Sequence, residues 1–179
     1  MVHDLDSIER IGVVGAGTMG SGIAQVAATN GYAVTMRDIE EQFVENGFDS
    51  IESSLDRFVS KDALSQEAAD AALDRIDGTT ALGDLADCDV VVEAAVENMD
   101  IKQDIFADLE DAVDDDCLLA TNTSTLSITT IAAATESPER VVGLHFMNPV
   151  PIMEGVEVVD GEKTSEEALE LAHGIAEAL

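Results

Sequence analysis

Basic residues are what this 179-residue chain most conspicuously lacks: 8 Lys and Arg stand against 38 Asp and Glu, a formal charge of −30. Such a surface repels phosphates, which argues against nucleic acid and anionic membranes as partners. Cysteine is scarce too. Cys88 and Cys117 stand apart with no C-x-x-C spacing, so they read as two small buried thiols in a reducing compartment, and no metal site is expected. No apolar run approaches the ~20 residues of a membrane span, and no secretory signal fits Met1 to Asp6. A cytoplasmic location is the expectation. Internal repeats and low-complexity linkers are also missing, and the length suits one domain over residues 1–179. The acids are spread along most of the chain, so the surface reads as one adapted to molar salt, where the Debye length falls to about 3 Å.

What is present is organised around one stretch near the amino terminus. Ile11 to Val14 reads as a buried strand, Gly15, Gly17 and Gly20 form G-x-G-x-x-G, and Ser21 to Ala28 continues as a helix. In a dinucleotide-binding turn the first glycine permits the sharp bend and the second lets the backbone approach a pyrophosphate. The third lets helix and strand pack closely. The helix start, over Thr18 and Met19, then offers free N–H groups and the positive dipole end to the phosphates. A second strand, Ala33 to Arg37, ends at Asp38, the place where an acidic residue reads the adenosine ribose. Asp38 accepts from a ribose diol and repels a 2′-phosphate, which favours NAD over NADP, although Arg37 beside it is of a kind that accommodates a phosphate.

The remaining pattern alternates helices and strands, with one interruption. Residues from about Ile39 to Ser60 read as one long helix, with Phe43, Val44, Gly47, Ile51, Leu55, Phe58 and Val59 at helical spacing. Ser65 reads as the N-cap of a second helix carrying Ala68, Ala69, Ala72, Leu73 and Ile76 on one face. The two make a helical hairpin inserted at about 39–77, in which Ser54, Arg57 and Lys61 are equally readable as an anion site or a solvated face. Strands are expected near Thr79 to Ala81, Asp89 to Ala95, Cys117 to Ala120, Val141 to Phe146 and Val156 to Val159. Helices are expected at Asp100 to Val113, Ile128 to Ala134 and Ser165 to Leu179. This is an α/β, Rossmann-type doubly wound, mostly parallel sheet.

In such sheets ligands bind outside the carboxyl ends of the strands. That rule gathers the glycine turn, Glu97-Asn98, Asn122 to Thr125 and His145 to Asn148 on one edge. Of the three histidines, only His145 lies at a strand end; His3 is in a leader and His173 on the last helix. A histidine beside a bound nicotinamide can take a hydroxyl proton, and Glu157 on the next strand is its natural orienting carboxylate. Ser124 and Asn148 can hydrogen-bond a substrate oxygen or the nicotinamide amide.

Asn122-Thr123-Ser124 with Gly143 to Pro151, Val92 to Asn98 and Gly15 to Gly20 together resemble the 3-hydroxyacyl-CoA dehydrogenases, over essentially the whole chain. The resemblance implies the NAD-binding domain of an enzyme that oxidises L-3-hydroxyacyl-CoA to 3-ketoacyl-CoA, or the reverse, in fatty acid β-oxidation. It implies His145 as base, Glu157 as its partner and Ser124 on the substrate's 3-oxygen. Glu97, Lys102 and Asn148 fall on nicotinamide-side contacts, Asp38 on the ribose contact, and Ser54 and Lys61 on positions that hold coenzyme A. The chain departs from the family at Thr125, where a second serine is common, and at Glu154-Gly155, which replaces Lys-Leu. The family continues past the position of Leu179 with a strand and an all-helical domain that supplies a catalytic asparagine, an acyl-pocket wall and the dimer interface. A homodimer is therefore expected only where that domain is supplied, and an exposed apolar edge is expected where it docks. Two alternatives stand beside this reading: a non-catalytic NAD- or CoA-binding module or half-enzyme needing a partner, and a dehydrogenase of small β-hydroxyacids.

Overall fold

The computed structural model describes residue 2 and residues 5–179; His3 lies outside them. Among the described residues a seven-stranded sheet runs in the order β3-β2-β1-β4-β5-β6-β7. Its strands are β1 (Arg10–Val14), β2 (Ala33–Arg37), β3 (Ile76–Thr79), β4 (Val90–Glu93), β5 (Leu118–Thr121), β6 (Val141–Phe146) and β7 (Val156–Val159). The first six pair in parallel, and β7 alone runs antiparallel, against β6. Helices α1 (Thr18–Thr29), α2 (Glu41–Ser60), α3 (Gln66–Leu73), α4 (Met99–Ala112) and α5 (Ile128–Ala132) lie in the connections between parallel strands, and α6 (Glu166–Ala178) follows β7. This strand order is the doubly wound one, with its switch point between β1 and β4.

The strands are apolar on consecutive residues because both faces of the sheet are covered. Val90, Val92, Leu118, Ala120, Val142 and Leu144 face a core shared with α1, α2, α3 and α6. The alternate residues Val91, Leu119 and Val141 face a second core with Phe106, Leu109 and Ile131 of α4 and α5. On α2 the inward stripe is Val44, Gly47, Ile51 and Leu55, a 3-to-4 spacing that presses the hairpin onto α1 while its outer face stays charged. Phe43, expected in that stripe, is 42% exposed. Serine side chains cap three helices: Ser65 accepts from Ala68 N, Ser127 from Thr130 N and Ser165 from Ala168 N. Each satisfies an N–H that the helix itself leaves unpaired.

Several ends differ from the sequence expectation by a residue or two, and the junction at Ile76 differs in kind. Ile76 does not continue the hairpin's second helix but opens β3, opposite Val34, so the strand begins three residues before Thr79. Ile76 is buried in both readings, and apolar periodicity does not separate a helix end from a strand start; pairing with β2 decides it. The hairpin accordingly runs from Glu41 to Leu73. Around β7, Ile152, Met153 and Val159 are exposed. No described helix is long and apolar enough to cross a membrane.

Candidate active site

The glycine turn is built on close backbone contact. Gly15 has φ +101°, in the left-handed region, and a Cβ there would lie 2.7 Å from the Ala94 carbonyl oxygen. Only glycine enters both that conformation and that space at little cost. Gly20 sits against the turn so tightly that a Cβ would fall 1.6 Å from the Gly15 oxygen. Gly17 is different: it caps α1 with φ −72°, and nothing lies within 4 Å of where its Cβ would be. The open side of the turn therefore lies at Gly17, beside the first N–H groups of α1, where a helix start receives an anion.

Asp38 closes this loop from the end of β2. Its Oδ2 accepts from Ala16 N and its Oδ1 from Ile39 N, both at 2.7 Å. Each oxygen keeps a lone pair for a diol. Arg37 Nε donates to the Thr80 carbonyl at 3.3 Å, so part of its guanidinium is engaged at the sheet's outer edge.

At the end of β4, Glu93 and Lys102 form an ion pair wholly out of water, with Nζ 2.7 Å from each carboxylate oxygen. Thr121 Oγ1, at 2.6 Å, and Ala95 N, at 2.7 Å, also donate to Glu93. Thr123 Oγ1 donates to Glu97 Oε1, and Thr125 Oγ1 lies 3.4 Å from the same oxygen. Asn98 accepts from Ile101 N as the N-cap of α4. At the end of β6, His145 Nδ1 lies 2.8 Å from Glu157 Oε2, its direct partner in the β6–β7 register. An ionised carboxylate only accepts, so Nδ1 carries the hydrogen, which in the neutral ring leaves the lone pair on Nε2. Asn122 Oδ1 accepts from Phe146 N at 2.9 Å, carrying the β5–β6 pairing past the last ladder position and bracing the strand end beside His145.

Residues 10–179 match the family model described as "3-hydroxyacyl-CoA dehydrogenase, NAD binding domain". The chain belongs to the 3-hydroxyacyl-CoA dehydrogenase family. A probable 3-hydroxybutyryl-CoA dehydrogenase of Deinococcus radiodurans is 46% identical over 170 residues, 95% of this chain and 61% of that protein. The solved structure of Mycobacterium tuberculosis FadB2 superposes with a TM-score of 0.93 at 45% identity, covering 96% of this chain and 60% of the other. That of the (S)-3-hydroxybutyryl-CoA dehydrogenase of Ralstonia eutropha gives 0.94 at 42% identity, covering 96% and 61%. The chain spans about three-fifths of the length of these relatives. NAD is the family domain's cofactor, and the open Gly17 face, the α1 start and Asp38 fit a dinucleotide laid across the switch point.

Within this family domain the site candidates divide into two groups. Gly15, Gly17, Thr18, Met19, Gly20, Asp38, Glu97, Ser124, His145 and Asn148 all lie at or just beyond the carboxyl ends of β1, β2, β4, β5 and β6. Ser124 and Asn148 are exposed there, and the Asn148–Pro149 peptide is cis. Lys102 is withdrawn from that edge, and its charge reaches it only past Glu97, 3.8 Å away. Ser54 on α2 and Lys61, the residue capping its C-terminus, lie apart from that edge, one turn before and one after Phe58. A cavity of about 650 Å³ joins the hairpin to the strand ends, lined by Leu55, Phe58, Leu64, Phe146, Val150 and Met153 among others. It leaves out both the glycine turn and His145, so it adjoins the candidate chemistry without containing it.

Sequence reasoning passed over Glu93, Thr121 and the bracing part of Asn122. A signal was present for two buried charges. Glu93 directly follows three valines, and Lys102 shares the i, i+4, i+7 stripe of Phe106 and Leu109.

Proposed function

We propose that this chain carries the cofactor half and the base of an NAD-dependent 3-hydroxyacyl-CoA dehydrogenase, interconverting L-3-hydroxyacyl-CoA and 3-ketoacyl-CoA. The observation that carries the proposal is the His145–Glu157 pair at 2.8 Å, on the same sheet edge as an open dinucleotide turn. Bound NAD supplies a two-electron hydride acceptor. Asp38 and the α1 start hold its adenosine ribose and pyrophosphate, with Glu97 and Asn148 on the nicotinamide side. In the oxidising direction His145 Nε2 takes the proton of the 3-hydroxyl, and Glu157 holds the ring's orientation and offsets the positive charge that the imidazole gains. Ser124 donates to the 3-oxygen as it becomes a carbonyl. The reverse direction returns the same proton from the imidazolium.

Substrate recognition is assigned to the hairpin. Five of the eight basic residues are tied down: Arg10 to Asp77, Arg37 to Thr80, Arg75 to Ala28 and Ala71, Lys102 to Glu93, and Arg140 to Glu110 and Asp114. Arg57 and Lys61 sit exposed near the end of α2, two close cations, flanked by Asp56 and Asp62, on a chain of net −30. That position suits the phosphates of coenzyme A, with Ser54 beside them, and a small β-hydroxyacid needs no such distant anchor.

The test is NADH oxidation driven by acetoacetyl-CoA in molar KCl, with His145→Gln alongside. Turnover that disappears in the variant is the expected result. A folded chain that binds NADH but does not turn over sinks the catalytic reading and leaves a cofactor-binding half that needs a partner.

A further inference from the structure

Lys102, which the family resemblance sets among the nicotinamide-side contacts, is bound to Glu93, a residue without a part in the chemistry proposed above, and the two form the most completely buried charged pair among the described residues, each 0% exposed. A pair removed this far from water is weak support for stability, because apolar residues of similar size commonly do as well. Its surroundings point elsewhere. Glu93 is held on four sides, by two bonds to the ammonium, one from Thr121 and one from the Ala95 amide. The ammonium has one further charged neighbour, Glu97 Oε2 at 3.8 Å, whose side chain is 41% exposed. From core to surface the charges thus run negative, positive, negative, and the last stands at the ligand edge.

Topology says which part of the ligand meets it. Asp38, on β2, takes the adenosine ribose, and the glycine turn of β1 takes the pyrophosphate. The second nucleotide then lies across the switch point, over the ends of β4 and β5, where Glu97, Thr123 and Thr125 are. The nicotinamide ring is a cation when oxidised and neutral when reduced, so a carboxylate near it favours one redox form.

We propose that Glu93 and Lys102 are positioning residues that set how strongly Glu97 discriminates NAD+ from NADH. Glu93 holds the ammonium in the core by two short bonds, at a distance from Glu97 that only partly cancels its charge. Without the Glu93 charge the ammonium turns toward Glu97, its remaining anion, and neutralises the field that the oxidised ring meets. The inference rests on the reading that this edge holds the nicotinamide half of NAD.

Direct calorimetric titration of the chain in molar KCl with NAD+ and with NADH tests it. In Glu93→Gln, affinity for NAD+ falls while that for NADH stays near its starting value. The ratio of the two dissociation constants rises several-fold, because the ammonium then cancels the Glu97 charge that the oxidised ring meets. Glu93→Asp, which keeps the charge, returns the ratio toward that of the parent. Glu97→Gln shifts it in the same direction, and adding Glu93→Gln to that variant shifts it no further. Equal weakening of both nucleotides in Glu93→Gln, or an unmoved ratio in Glu97→Gln, overturns the proposal. Should Glu93→Gln fail to fold, Glu97→Gln and Thr121→Val carry the test, the latter loosening Glu93 without changing charge. Failure of the parent chain to bind either nucleotide is a separate outcome: it removes the cofactor reading, and this inference with it.

Discussion

Gly17 and Gly20, three residues apart, make opposite predictions, and Gly17→Ala is the more revealing. Its backbone, φ −72° and ψ −167°, is open to any residue, and its Cβ enters empty space. Alanine is a poorer helix cap than glycine, at a cost of about 0.5–1 kcal/mol. The narrower unfolded ensemble returns about 0.4–1 kcal/mol. Net stability therefore barely moves, and Tm shifts by less than about 2 °C. Binding is another matter. If the pyrophosphate lies against the α1 amides as proposed, the new methyl meets it, adding about 1–3 kcal/mol of overlap and lengthening charge-assisted hydrogen bonds of about 1.5–3 kcal/mol. About 3 kcal/mol in all is a loss near 100-fold. Thermal melts and NADH titrations of the same preparation in molar KCl read both quantities. Gly20→Ala inverts the pattern: with the Gly15 oxygen 1.6 Å from the added carbon, the turn itself must move. Destabilisation of about 2–3 kcal/mol lowers Tm by roughly 5–10 °C. A Gly17→Ala chain that binds NADH within three-fold of the parent refutes the placement of the pyrophosphate.

Other outcomes follow from the same structure. Glu157→Gln keeps the shape beside His145 but not the charge, and acetoacetyl-CoA reduction falls about 100-fold with NADH affinity unchanged; an unaltered turnover number contradicts the pairing. Lys102→Met strands the Glu93 carboxylate and costs about 3–5 kcal/mol in denaturant unfolding, and adding Glu93→Leu recovers most of it; additive losses in the double variant argue against coupling. With 30 excess negative charges, Tm rises steeply between about 0.1 M and 1 M KCl as the Debye length shrinks from about 10 to 3 Å; a flat profile refutes charge repulsion as the limiting term. Burial pushes the Cys88 thiol up from 9.0 to about 11, and raises that of Cys117 as well. The contribution of the neutral Cys88 thiol to stability is thus complete below pH 9.0 and is lost as pH climbs through about 11. A thiol reagent at pH 8 leaves both cysteines unlabelled unless the chain unfolds, and labelling at the rate of a free thiol contradicts their burial.

How much could be read from sequence differs between backbone and side chains. Strands such as Val90 to Glu93 announce themselves because two-sided burial forces an unbroken apolar run, and the edge that collects the site candidates follows from strand order alone. Ile76 resisted, since a buried isoleucine fits the end of a helix and the start of an edge strand equally well. Charges in the core resisted more. Lys102 and Glu93 are nine residues apart and become partners only when α4 folds back over β4, a long-range condition that periodicity does not carry. Asn122 reads as part of a motif, but its bond to Phe146 exists only where β5 and β6 diverge.

The antiparallel turn of the last strand has a further consequence, for how the site tolerates change in chain length. In an antiparallel pair the sum of partner numbers is constant along the ladder, so His145 meets Glu157 just as Leu144 meets Val158 and Phe146 meets Val156. Residues added to or removed from the loop over 147–155 leave that pairing intact while the apolar strand faces hold register. A slip of one residue, by contrast, sets a valine opposite the histidine and turns the glutamate to the other face. The pair proposed to handle the proton is thereby insulated from the loop that borders it. Loop length can drift, and with it the shape of the neighbouring cavity, while the base keeps its carboxylate.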